Sequence, residues 1–267
     1  MVITKGAIYE KIYQFRGGGN RLSSYSKGFT LAEGTTCVAT LEDNRLSAFT
    51  LAEVLVTLGI IGVVSAMTVP SLMQNYQRQS YVTQLHKVYN ELSQAALRYQ
   101  NDKNAVDLSE AGLNSQEQVY SFIRSYFKVV KECDKLSGCF ADSYKKISGV
   151  SARIGNTKSF VISSGASLRP NYEPSNGSLI SFAVDINGLK GPNVAGRDLF
   201  IVCLYNNGLV DDAPYNVADD DSIVPFAGAP LTKEERESLF SSHCSSSTSG
   251  ISGCFGKILN DNWEMSY

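Results

Sequence analysis

Glu53 is a charged residue in an uncharged neighbourhood. The sixteen residues after it, Val54 to Val69 (VLVTLGIIGVVSAMTV), carry no charge. Counted from Phe49, the run is twenty-one residues with Glu53 as its one charge. A carboxylate costs about 2.5–3.5 kcal/mol at the centre of a membrane helix, so Glu53 needs a partner there, the alternative being that it sits solvated at the membrane interface. A second constellation lies in DINGLKGPNVAGRD, where Asp185, Asn187, Asn193 and Asp198 supply the kind of oxygen that calcium takes. No bidentate Glu closes the set. The alternative is a Gly/Asn/Pro hairpin loop whose two aspartates accept from turn amides. A third is cysteine: Cys133 and Cys139 are spaced C-x5-C, Cys244 and Cys254 C-x9-C, and Cys203 stands alone in a strand-like run. Zinc sites use closer pairs and usually histidine, and the chain has two histidines, His86 and His243. No nucleophile elbow, Walker loop or dinucleotide fingerprint is present. Gly17-Gly18-Gly19 is not followed by Lys-Ser/Thr. No enzymatic activity is expected.

The elements that would carry these residues follow from composition and pattern. Hydrophobic residues are 43% and charged residues 19%, enough for a packed core and against a disordered chain. Lys and Arg total 24 against 26 Asp and Glu, a balance that argues against a general nucleic-acid binder. Residues 1–48 differ from the rest: six basic residues, four acidic, a glycine triplet and few aliphatic runs. They read as an unpacked leader. The apolar run that follows meets the roughly 20 residues needed to cross a bilayer. In a secretory signal peptide the small-residue cleavage site follows the apolar stretch. Here Ala48 precedes it, so a cut would leave the apolar helix on the product.

The stretch AFTLAEVLVTLGIIGVVSAMTVPSL closely resembles the N-terminus of type IV pilins and of the pseudopilins of type II secretion. In that family prepilin peptidase cuts just before the Phe and methylates the new amine. The resemblance implies cleavage between Ala48 and Phe49, N-methylation of Phe49, and Glu53 as the fifth residue of the processed chain. Cutting frees an amine four residues from Glu53 on every subunit. An acid on one helix against the amine of the next would neutralise both and set the axial register. Pro70 falls where many pilins carry a proline, and its missing amide donor should kink or loosen the helix. Gly59 and Gly62 would let helices approach closely. Two features depart from the pattern. Ala48 stands where Gly is usual, and Leu41–Ala48 holds one basic residue against two acidic ones, a weak positive-inside signal. The run Lys27-Gly28-Phe29-Thr30-Leu31-Ala32-Glu33 repeats the motif, but GTTCVATLEDNRL after it cannot span a membrane.

Three regions are therefore expected: a leader over 1–48, a transmembrane and assembly helix over 49–75, and a head over 76–267. The fold class is α+β and pilin-like, one long helix packed on a head with a small antiparallel β-sheet. Val82, Leu85, Tyr89, Leu92, Ala96 and Tyr99 form one apolar seam, which predicts that the helix continues to about Gln100 and packs on its own head. A second helix is expected over Ser115–Val130. Strands are expected at Ser159–Ser163, Ser178–Ile186 and Asp198–Tyr205. Thr232 and Glu235 fit a capping box. Asp211-Asp212 and Asp219-Asp220-Asp221 read as a solvated acidic loop, His243 as part of a Ser-rich loop, and Gly253–Tyr267 as holding a short helix.

The topology places the head outside the cytoplasm, where disulfides persist. Pairs Cys133–Cys139 and Cys244–Cys254 are expected, with Cys203 a buried thiol and Cys37 lost with the leader. Major pseudopilins bind calcium in a head loop, which bears by analogy on the Asp185–Asp198 set. The implied partners are other pilins in a homo- or hetero-oligomer, prepilin peptidase, an inner-membrane assembly platform, and membrane lipid before assembly. No nucleic acid is expected outside a DNA-uptake pilus. The implied location is the bacterial cytoplasmic membrane, single-pass, with the assembled form in the periplasm or at the cell surface. The alternative is a membrane-anchored extracytoplasmic binding module that uses the same export route.

Overall fold

Helix α1 (Leu51–Lys103) is 53 residues of helix without a break, about 80 Å at 1.5 Å per residue. It belongs to a computed structural model that describes residues 50–217, 223–245 and 250–267. Pro70 lies inside α1, which continues on both sides of it. From Arg78 onward the helix turns one stripe inward. Val82, Leu85, Val88, Leu92, Ala95, Ala96 and Tyr99 are buried, close to the seam read from the sequence, with Tyr89 half-buried at its edge.

Helix α2 (Gln116–Tyr126) starts at Ser115, whose hydroxyl accepts from the Gln118 N–H. It ends four residues before the expected Val130. Phe127 is already extended, and Val129–Cys133 form strand β1, paired with Ser159–Ile162 further along. The remaining strands are β2 (Tyr144–Lys146), β3 (Ser151–Ala152), β4 (Ser159–Ile162), β5 (Ser167–Ser175), β6 (Ser178–Asp185), β7 (Val194–Ala195), β8 (Leu199–Tyr205), β9 (Val210–Asp211), β10 (Tyr215–Val217) and β11 (Ile223–Pro225). Helix α3 (Lys233–Leu239) carries the expected Thr232–Glu235 capping box and runs into a π-helical turn, Phe240–Cys244. Helix α4 (Cys254–Asn260) follows.

The class is α+β, but the sheet is neither small nor purely antiparallel. Among the described residues nine strands join in one sheet, ordered β1-β4-β5-β6-β8-β7-β2-β3 with β9 beside β8. The pairs β7–β8 and β2–β7 are parallel. Strand β5 (SLRPNYEPS) was hidden in the sequence by Pro170 and Pro174, which lack a ladder donor. It is tolerated because β4 pairs with it only through Ser167 and Leu168. Beyond Leu168 a side chain takes over that edge: Gln116 Oε1 accepts from the Tyr172 N–H at 2.7 Å, and its Nε2 donates to the Pro170 carbonyl at 3.3 Å.

The core lies between α1 and one face of this sheet. Phe160, Leu168, Ile180, Phe182, Val184, Phe200, Val202 and Leu204 meet the α1 stripe together with Val119, Phe122 and Ile123 of α2. The other face carries a smaller cluster around Phe140, Tyr144, Ala183 and Leu199.

The chain end closes the core, and Asp211 and Asp212 fasten it. Both are buried, contrary to the solvated loop expected; Asp219–Asp221 lie outside the described residues. Asp211 takes the Arg236 guanidinium bidentately, at 2.9 and 2.6 Å, and the Leu231 N–H at 2.9 Å. Asp212 accepts three backbone N–H groups: Ala213 at 2.8 Å, Gly253 at 2.9 Å and Gly256 at 2.6 Å. These bonds dock the start of α4, and Phe255 and Trp263 then pack against Tyr89 of α1. Gly253 has φ +88°, and a Cβ there would meet the Leu239 carbonyl oxygen at 2.4 Å. The docking therefore needs glycine.

Candidate assembly helix and aspartate-centred loop

Every residue from Thr50 to Gln77 is exposed. Leu55, Val56, Leu58, Ile60, Ile61, Val63 and Val64 are each more than half exposed, and they point in all directions around the helix. A helix apolar all round belongs in lipid or inside an assembly. Among the described residues this is the one helix long and apolar enough to cross a membrane. A Cβ added at Gly59 or Gly62 would meet nothing within 4 Å, so neither glycine is needed by the chain's own packing. Both leave flat sites where a second helix can come close.

Glu53 stands at the start of this surface and caps it. Its Oε2 accepts from the Thr50 N–H and the Thr50 hydroxyl, both at 2.9 Å, while the Glu53 N–H donates to Thr50 Oγ1 at 3.2 Å. This is a reciprocal capping box, Thr-Leu-Ala-Glu, which satisfies two of the helix's orphan donors. Its second oxygen, Oε1, carries no hydrogen bond from the described residues. Ala48 and Phe49, the expected cleavage and methylation positions, lie outside the described residues.

The structure brings Asp185, Asn187, Asn193 and Asp198 together in the β6–β8 connection. Asp185 is fully buried. It accepts from the Asn187 N–H at 3.1 Å and from the Tyr144 hydroxyl. Asp198, also fully buried, accepts from the Asn193 N–H at 2.7 Å, the Val194 N–H at 2.6 Å and the Asn187 side-chain amide at 3.4 Å. Burial pushes the Asp185 carboxyl up to about 7; the Tyr144 hydrogen bond pulls down, and the like charge of Asp198 pushes further up. Burial likewise raises Asp198, against the pull of its N–H donors. Burial and the adjacent Asp185 charge hold Tyr144 as a neutral phenol.

All four carboxylate oxygens thus already accept from protein donors. The buried Asn187 Oδ1 and Asn193 Oδ1 have no partner. These are the two side-chain oxygens of the set left open; calcium, which takes six to eight oxygens, would also need backbone carbonyls, water or carboxylate oxygens released from their present donors. Among the described residues no group of three or more His, Cys, Asp and Glu is placed to hold a metal. What the arrangement does is rigidify the 13-residue β6–β8 connection from inside. Sequence reasoning missed Tyr144, which binds the loop's first aspartate from a strand 41 positions away and also accepts from the Ala141 N–H. No local pattern announces a pairing across that separation.

Cys133–Cys139 and Cys244–Cys254 are disulfides, with Cα separations of 6.2 and 5.1 Å, and Cys203 is a buried thiol. Burial pushes that thiol up to about 12, so it is not a reactive thiolate. The second disulfide lies against the aspartate loop: a Cβ at Gly196, where φ is +86°, would meet Cys254 Sγ at 2.8 Å. His243 is buried in the π-helical turn rather than sitting in an open loop. Its carbonyl accepts from Lys146 Nζ, and burial lowers its imidazole pKa. No family model, no curated protein and no solved structure matches this chain.

Proposed function

We propose that the chain is a structural filament subunit of the pilin or pseudopilin kind. Prepilin peptidase cuts it between Ala48 and Phe49 and methylates Phe49. The helix over 49–75 then holds it in the cytoplasmic membrane until neighbouring subunits replace lipid, with Glu53 setting the axial register. The observation that carries this reading is the exposure of Leu51–Gln77. One half of a continuous helix exposes apolar side chains all round and carries no charge between Val54 and Val69, while the other half is packed on its own head. An apolar surface of that size needs an occupant from outside the chain. Glu53 supports the register role, because among the described residues its Oε1 has no partner beyond the cap that Oε2 makes. The two disulfides agree with a head outside the cytoplasm.

The test is to express the full chain with and without active prepilin peptidase and to measure intact mass and N-terminal sequence in membranes and in sheared surface material. The expected product begins at Phe49, is heavier by one methyl group, and enters the sheared fraction. Substituting Glu53→Ala should leave cleavage intact and stop assembly. A product that retains residues 1–48, or begins at Phe29, overturns the reading and leaves a membrane-anchored head.

A further inference from the structure

We propose that the cleft between α1 and the Gly191–Arg197 segment seats the phosphate of an anionic phospholipid headgroup. The cleft has a volume of about 700 Å³. One wall is α1, through Gln77, Arg78 and Tyr81; the other is Lys145 of β2 and the loop residues Pro192 and Arg197. Parallel pairing of Lys145 with Val194 fixes the head wall. Among the described residues no carboxylate lines it. Burial, and then the charge of Asp198, raise the Tyr81 pKa, but the Asp198 oxygens are taken by loop donors. Arg197 packs over the Tyr267 ring at 5.7 Å and reaches Met265 Sδ at 3.3 Å, so it too meets no acid there. Burial, and then the charge of Arg78, lower its pKa. Like charges gathered without a counter-ion favour an anion between them.

Depth selects the anion's source, and this step rests on the apolar half of α1 occupying a bilayer. Val54–Met73 is 20 residues, about 30 Å of helix, which matches the hydrocarbon core. Arg78 lies five residues further on, about 7–8 Å beyond, inside a headgroup layer about 5–8 Å thick. Tyr76, 73% exposed, sits at the same level, where aromatic side chains anchor at membrane interfaces.

The full chain is reconstituted in nanodiscs with equal phosphatidylglycerol and phosphatidylcholine, and lipids retained on the released protein are counted by native mass spectrometry. The chain should keep phosphatidylglycerol in preference to phosphatidylcholine. Arg78→Gln with Lys145→Gln should lower that preference about fivefold per cation removed. These two side chains make no packing contact of the Arg197–Tyr267 kind, and Lys87→Gln, on the same helix outside the cleft, should change nothing. A chain that inserts but keeps both lipids equally overturns this proposal alone. Binding of inorganic phosphate without any lipid preference overturns it as well. A chain that fails to enter nanodiscs overturns the membrane reading beneath it.

Discussion

The two halves of α1 share one backbone conformation and differ in everything else. Residues 51–77 place apolar side chains on all sides and bury none. Residues 78–103 gather theirs, the exposed Leu97 apart, on one stripe and bury it against the sheet and the chain end. Helix propensity is met in both halves, so it does not decide where a helix goes; the angular distribution of its apolar residues does. The stability of the second half is supplied by its own chain. That of the first has no support from the described residues of the head, and in the proposed function lipid or other copies supply it. Leu92, fully buried on the stripe, tests the first statement most strongly. Leu92→Ala should lower head stability by about 3–5 kcal/mol, measured by urea unfolding of the detergent-solubilised chain. A loss under about 1 kcal/mol would mean that the stripe does not hold the head.

The stripe is only as firm as the segment that covers its far side. Asp212→Ala would leave the N–H groups of Ala213, Gly253 and Gly256 without their acceptor in a buried place. A loss of about 3 kcal/mol is expected, because unmade bonds at buried donors cost about 1–3 kcal/mol each and removing a buried charge returns part of that. It should appear as early hydrogen exchange in α4 and around Tyr89. Replacing Cys244 and Cys254 with serine should cost about 2–3 kcal/mol through the freed loop, again sparing residues 51–77.

A smaller effect comes from pH. Asp185 is pushed up to about 7 and Asp212 to about 6, both from an ordinary value near 3.8. Folding therefore takes up protons between these limits. The stability these groups contribute is full below about pH 4 and is lost as pH rises through 6 and 7. From pH 6 to pH 8 the head should lose about 2 kcal/mol. Asp185→Asn should remove most of that slope whatever it does to absolute stability. A flat profile in the unsubstituted chain would show that solvent reaches both carboxylates.

The long helix, its seam, the Thr232–Glu235 cap, the three main strands and both disulfide pairs were legible because each rests on local periodicity or spacing. What was not legible depends on distant partners. Strand β5 carries two prolines and survives because Gln116, more than fifty positions away, serves its open edge. Asp211 and Asp212 look like solvated loop residues until Arg236 and the start of α4 arrive to bury them. The short parallel strands β2 and β7 are too brief to show a period. At the candidate site the four oxygen-bearing residues were legible as a group. Their arrangement was not, because Tyr144 comes from another strand and the alternatives turn on which lone pairs remain open.

The smallest expected effect is also the one that separates the halves most cleanly. Leu58 is apolar, helical and on the same helix as Leu92, but it is 60% exposed and touches no core cluster. Leu58→Ala removes the same atoms as Leu92→Ala. Because there is no cavity to leave, head stability should stay within about 0.5 kcal/mol. The missing energy has to appear elsewhere if lipid or a second helix covers that side chain. Membrane retention and resistance of assembled material to detergent should both fall, since each buried methylene is worth about 0.8 kcal/mol to whichever surface covers it. Should Leu58→Ala unfold the head, the first half of α1 would have a partner within its own chain, and the division between the halves would fail.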